Sequence, residues 1–269
     1  MLMKPYDLLK ESIEFASKQL EEFKATKSLD NISTMVITAL YRKIIELSEG
    51  VRVSAENGLA GPAELNYRGL IEAALSLEYI LQDPAKTDDR AKAYKIGYHK
   101  QQINAVDQGD LSEQERELLC RGLSYHQQEL ALEELQEVLM KFDELQNQDR
   151  RGFIPKWYSL DDGPRSINQL AIYLKEEDEP EALVSNLYGF LSTGAHMYMA
   201  LNSIKKLGEN ITIKPVKATF NSNLDEYNFV ANRSLLTSAI VRFTRAKHPE
   251  YIDNFQNFFI KIRPYLSVN

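Results

Sequence analysis

The chain predicts an all-α fold, with eight to nine helices in a bundle-like domain around two buried central helices at 62–82 and 181–206. Three observations carry this. Apolar residues recur at helical spacing in one segment after another, divided by Pro, Gly and Asp punctuation. The 269 residues include only 12 Gly and 9 Pro, too few for a loop-rich chain. The one run that alternates apolar and polar residues is 208–223 (GENITIKPVKATFNSN), enough for a strand or extended arm near 211–219 but not for a sheet.

The elements follow in order. Pro5 opens a first helix that runs to about Thr26. Asp30 or Asn31 caps a second, whose apolar run from Met35 to Leu47 continues to a stop at Asn57-Gly58. Gly61-Pro62 breaks and restarts the chain, with proline in the first turn of a third helix that ends at Asp83-Pro84. A fourth starts near Thr87 or Asp88 and reaches about Val106. Ser112-x-x-Glu115 reads as a capping box opening one long Glu- and Gln-rich helix to about Asn147. Residues 148–165 form a loop punctuated by Gly152, Pro155 and Gly163-Pro164, and it holds the single tryptophan, Trp157. A short helix from Ser166 to about Glu176 precedes the central one after Pro180, and two more occupy about 224–246 and 250–262. This divides the chain into a helical core domain at 1–204 and a basic C-terminal extension at 205–269, expected to pack on the same core.

Composition narrows the function classes. Apolar residues make up 43% and charged residues 26%, as in an ordinary globular chain. The net charge of −7 disfavours general affinity for nucleic acid or anionic membrane. The lone Cys120 has no disulfide partner and the N-terminus carries no signal-like run, so a cytoplasmic location is expected. Residues 182–204 carry no charged side chain and are long enough to span a bilayer. Their seven polar residues, Ser185 to Ser203, fit a buried helix better than a lipid-facing one. Residues 205–269 are locally basic, with ten Lys and Arg against five Asp and Glu.

Two polar stripes interrupt helices that are otherwise apolar. Arg68-x-x-x-Glu72 lies in the third helix, flanked by Leu65, Leu75 and Tyr79. Tyr188-x-x-x-Ser192-x-x-x-His196 lies in the central one. Residues four apart share a helix face, and buried polar groups need partners. These five are therefore expected to form one cluster, which is either a structural ion-pair network or the lining of a pocket. Ser192 is no hydrolase nucleophile, since no Gly-x-Ser-x-Gly elbow surrounds it. Four histidines and one cysteine at these spacings give no metal site, and no phosphate-binding glycine loop is present, so no metal or cofactor is expected. Arg121-x-x-x-x-His126 and Arg242-x-x-x-x-x-His248 match the Arg-x₄₋₆-His spacing of HEPN-type ribonucleases, in which the imidazole works as acid–base and the arginine holds phosphate. The spacing is loose enough to arise by composition alone, Gly122 stands where that superfamily carries a polar residue, and His248 falls past the end of its helix.

Taken in order, Arg42 with Glu46, Arg68 with Glu72 and Tyr79-Ile80, Arg90 with Tyr94, and Tyr188, Ser192 and His196 resemble an uncharacterised bacterial all-helical family, domain of unknown function 5677. The resemblance spans roughly residues 35–200. It implies a helical fold and a prokaryotic or phage-related setting near defence genes, with no activity to carry over. Two functions are expected. The first is a non-enzymatic module of a bacterial stress or phage-defence system that binds a protein partner or small ligand. The alternative is a metal-independent ribonuclease or toxin, with His196 or His126 as acid–base and Arg68 or Arg121 on phosphate. RNA would then lie along Arg233, Arg242, Arg245 and Lys247. Self-association into a homodimer stays open.

Overall fold

A computed structural model describes residues 3–106, 113–148, 155–174, 204–207, 210–221 and 227–265. The fold is all-α. Among the described residues there are nine α-helices and one two-stranded antiparallel hairpin. The helices are α1 (Pro5–Thr26), α2 (Ile32–Glu56), α3 (Ala60–Gln82), α4 (Thr87–Val106), α5 (Glu113–Leu130), α6 (Gln136–Gln148), α7 (Ile167–Leu174), α8 (Phe229–Lys247) and α9 (Ile252–Ile262). The strands are β1 (Ile204–Leu207) and β2 (Asn210–Ile213).

Local chemistry sets several boundaries where the sequence places them. Pro5 opens α1. The Asn31 carboxamide accepts from the Thr34 amide at 2.8 Å and caps α2. That helix ends in a Schellman motif. Gly58, at φ +71°, donates to Ala55 O, and Leu59 donates to Ser54 O. The Asx turn of Asp83, whose carboxylate accepts from Ala85 N, separates α3 from α4.

Three expectations need correction. The single helix drawn from Ser112 to Asn147 is two. Leu132 adopts an extended conformation, and a 3-10 turn at Glu133–Leu135 restarts the chain. No Gly or Pro marks this break. The Gln136 carboxamide donates to Leu130 O and Leu132 O, satisfying carbonyls that the break releases, and both α5 and α6 then pack on α4. Second, helix does not extend to residue 206, because Ile204–Leu207 is a strand. Third, its partner strand is Asn210–Ile213, and residues 214–221 lie outside any strand. β-branched Ile204, Ile211, Thr212 and Ile213 favour extended backbone. Residues 181–203 of the expected central helix lie outside the described residues.

By its contacts the chain forms two compact units, and α2 and α3 contribute to both. The first comprises Met1–Ser28, Ile37–Glu78 and Leu174–Asn269. In it α8 packs on α1. The Tyr41 ring stacks on Phe243 at 4.2 Å, and Phe23 meets Phe243 edge-on at 5.0 Å. A buried hydrogen-bond chain crosses this core. The Tyr41 hydroxyl donates to Gln19 Oε1 at 2.6 Å, Gln19 Nε2 donates to Thr244 Oγ1 at 2.6 Å, and Thr244 Oγ1 donates to Ile240 O at 2.7 Å. Helix α9 closes on α1 through Leu8, Phe15, Phe258 and Ile262.

The second unit comprises Leu29–Val36 and Tyr79–Tyr173. Its axis is α4, against which lie α5, α6 and a 3-10 turn at Trp157–Ser159. Ala91, Ile96, Leu135, Val138, Phe142 and Leu170 fill its interior.

Candidate functional site

The second unit carries a concave pocket, lined by the start of α4 (Lys86, Asp89, Arg90, Ala93), by Val138 and Lys141 of α6, by Tyr79 and Tyr173, and by the loop residues Trp157 and Leu160 to Gly163. Each wall has a local cause. The Trp157 backbone approaches α4 at Gly97, where an added Cβ would stand 2.8 Å from Trp157 Cβ. The indole then meets Tyr79 and Tyr94 edge-on at 5.6 and 5.0 Å. The rim is a hairpin-type turn. Asp161 and Asp162 have φ of +52° and +59°, and Gly163 N donates to Leu160 O at 3.0 Å. Two successive positive φ values closed by that bond are a type I′ turn, which Asn-Gly fills with least strain. Here two aspartates take the strained positions. Gly163 is forced by crowding, since an added Cβ would fall 2.1 Å from Tyr158 O.

Arg90 is the buried charge of the pocket, only 8% exposed. Its Nη1 donates to the Tyr79 carbonyl, and its guanidinium lies 3.9 Å from the centre of the Tyr79 ring. Burial pushes the Tyr79 phenol above its ordinary range, and the Arg90 charge opposes that shift. The Tyr79 hydroxyl donates to Tyr158 O at 3.3 Å. Lys141 stands between Asp89 and Asp161, at 3.8 and 3.9 Å.

The expected cluster can be followed on one side only. Arg68 and Glu72 do form an ion pair, with Nε 3.2 Å from Oε1, and they are partly exposed at 24% and 41%. Tyr188, Ser192 and His196 lie outside the described residues. Arg42 and Glu46 pair at 2.8 Å on an open face. Arg121 and His126 do not turn toward each other. Arg121 is 75% exposed and binds Glu117 one turn back, while His126 meets His99, with the two Nδ1 atoms 2.8 Å apart. Tyr98 and Tyr125 contact both imidazoles edge-on. The salt bridge of Lys95 to Glu129, at 2.8 Å, lies beside His99. Burial foremost, then His126, hold His99 below its usual pKa, with Glu129 opposing. Arg242 is committed to Glu78, and His248 is the C-cap of α8, stacked on Tyr251 at 4.9 Å. Among the described residues no group of three or more His, Cys, Asp or Glu could hold a metal ion. No helix among them is long and apolar enough to cross a membrane.

The pocket was only partly visible in the sequence. Trp157 and Gly163 stood out as loop residues, and Tyr79 and Arg90 through the family pattern, but nothing in their spacing joined them. The signal that could have done so is Asp161-Asp162-Gly163 beside the only tryptophan, a polar turn next to an aromatic anchor. No curated protein and no solved structure matches the chain. The profile of a family of unknown function, DUF5677, matches residues 34–211, a span holding every wall of the pocket together with Arg42, Glu46, Arg68 and Glu72. The chain is a member of the DUF5677 family.

Proposed function

We propose that the chain is a non-enzymatic, cytoplasmic binding module of a bacterial stress or phage-defence system, and that the pocket of the second unit is its small-ligand site. The observation that carries the binding assignment is the convergence of three aromatic rings, Tyr79, Trp157 and Tyr173, with three cationic side chains, Lys86, Arg90 and Lys141, on one concavity. Lys86, Asp89, Arg90, Lys141, Asp161 and Asp162 make the rest of the lining largely charged, which suits a small polar ligand. Strained backbone at Asp161 and Asp162 supports the reading, because such conformations concentrate at ligand clamps. The test is a thermal-shift and Trp157 fluorescence screen against a mixed panel of cationic, neutral and anionic metabolites. A saturable response that Tyr173→Ala removes is expected. Silence across the panel would reject the assignment.

Metal-independent RNA cleavage is the second reading, and it draws on one observation. The His99–His126 hydrogen bond joins two imidazoles able to exchange a proton. Arg121 turned to Glu117 weighs against it. RNA cleavage in EDTA that His126→Ala or His196→Ala abolishes would favour it over the binding module.

A further inference from the structure

We propose that the pocket takes a small oxyanion carried on a flat ring, a carboxylate or a phosphate, with Arg90 as its anchor. This rests on the ligand-site reading above and adds the ligand's charge and shape.

The argument starts from an imbalance. A guanidinium has five N–H donors and keeps its charge in any protein environment. Buried charges are ordinarily paired. Arg90 is more than nine-tenths buried and lines the pocket, yet it has no carboxylate partner among the described residues. Its partners are a neutral carbonyl and the face of the Tyr79 ring. The donors left over fit an oxyanion, which arginine binds through two parallel hydrogen bonds. Lys86, one turn earlier on the same wall, also has no carboxylate partner among the described residues. It adds a second positive charge where the N-terminus of α4 already favours an anion.

The carboxylates of the lining do not cancel this. Asp89 and Asp161 flank Lys141 and are about half exposed, so water screens them and Lys141 offsets them. Asp162 sits on the exposed rim of the turn. A charge in the dry interior acts more strongly on a ligand than charges at a wet rim. The ring follows from Tyr173, a large aromatic side chain left 49% exposed beside Tyr79, and from Trp157 across the loop. A flat group entering the pocket would cover both.

The test uses the full chain, with Trp157 emission and calorimetry as readouts. Five probes separate the components: a nucleoside 5′-monophosphate, the matching nucleoside, benzoate, benzylamine and inorganic phosphate. At least one of the two ring oxyanions, the nucleotide or benzoate, should saturate below millimolar concentration, and the better of them names phosphate or carboxylate as the anion. The nucleoside and benzylamine should bind at least tenfold more weakly. Arg90→Lys should weaken the preferred probe at least tenfold. The exposed Lys86→Gln should weaken it severalfold without moving the melting temperature, which keeps the test open if the buried variant folds poorly. Nucleoside or benzylamine binding as tightly as the oxyanions would overturn the charge assignment and leave the ligand pocket standing. Inorganic phosphate binding as tightly as the nucleotide would overturn the ring. Binding indifferent to both substitutions would overturn the anchor. No binding by any of the five overturns the oxyanion proposal, and only silence of the mixed metabolite panel as well removes the pocket reading.

Discussion

Gly97→Ala and Gly122→Ala make the same chemical change in the interior of two helices, and the structure requires opposite outcomes. Alanine is favoured over glycine in a helix by about 0.8–1.0 kcal/mol. At Gly122 of α5 an added Cβ meets nothing within 4 Å among the described residues, so that gain is realised in full. At Gly97 of α4 the new Cβ would stand 2.8 Å from Trp157 Cβ. That atom is rooted in backbone and cannot swing aside like the tip of a flexible chain. Its turn is fastened by Tyr79 Oη to Tyr158 O at 3.3 Å and by Ser159 Oγ to Pro164 O at 2.8 Å. The indole is wedged between Tyr79 and Tyr94. Overpacking of this kind costs about 1–3 kcal/mol, so against the helical gain the middle of that range leaves a net loss of about 1 kcal/mol. Urea unfolding of both variants reads the signs directly, with the midpoint rising for Gly122→Ala and falling for Gly97→Ala. Because Trp157 is the only tryptophan, its emission should also move to the red in the Gly97 variant as the indole is pushed toward water. A stabilised Gly97→Ala with unchanged emission would show that the loop does not lean on α4, and would refute the pocket geometry with it.

The buried chain in the first unit predicts non-additivity. Gln19→Leu orphans the Tyr41 hydroxyl and Tyr41→Phe orphans Gln19 Oε1, each costing about 1–3 kcal/mol. The double variant removes both orphans and should recover most of that in denaturation, whereas strict additivity would disprove the linkage. Stability should also fall in acid. Burial foremost holds both His99 and His248 below the ordinary histidine pKa. The unfolded chain therefore takes up these protons first, near pH 6.5. Above that range both states are neutral and the histidines contribute no pH dependence. As pH falls through it the folded state loses ground, until the folded histidines protonate in turn. A urea midpoint flat from pH 8 to 5 would contradict this. Finally, Asp161→Asn with Asp162→Gly supplies the residues that a type I′ turn prefers. It should stabilise the protein by about 1 kcal/mol in the same assay, and an unchanged or lowered midpoint would mean that the aspartates are not strained.

How far the sequence reveals this molecule depends on how far apart the interacting residues lie. Helix ends were legible because a cap is settled within five or six residues. Pro5, Asn31 and the Asn57-Gly58-Leu59 stop each act on backbone groups of their own helix. The break at Leu132 escaped because it has no marker residue and is compensated by Gln136, which in sequence looks like any other solvent-facing glutamine. Gln19 escaped for the same reason. Its role exists only once Tyr41 and Thr244, from two other helices, close around it. The Arg68–Glu72 pair was legible as an i, i+4 contact, but its degree of exposure was not, because that is set by neighbours distant in the chain. Arg121 and His126 show the converse. A spacing suggested a joint role, and each side chain found a different partner, Glu117 one turn back and His99 on the neighbouring helix. The pocket combines these limits. It draws on residues from 79 to 173, and its shape depends on glycines at 97 and 163 whose need for space is dictated by what packs against them. What the sequence showed of it were separate pieces, a loop holding Trp157 and Gly163 and an arginine in the first turn of a helix. That this arginine is buried with no carboxylate partner among the described residues, the ground for proposing it as an anion's anchor, is visible in tertiary structure alone.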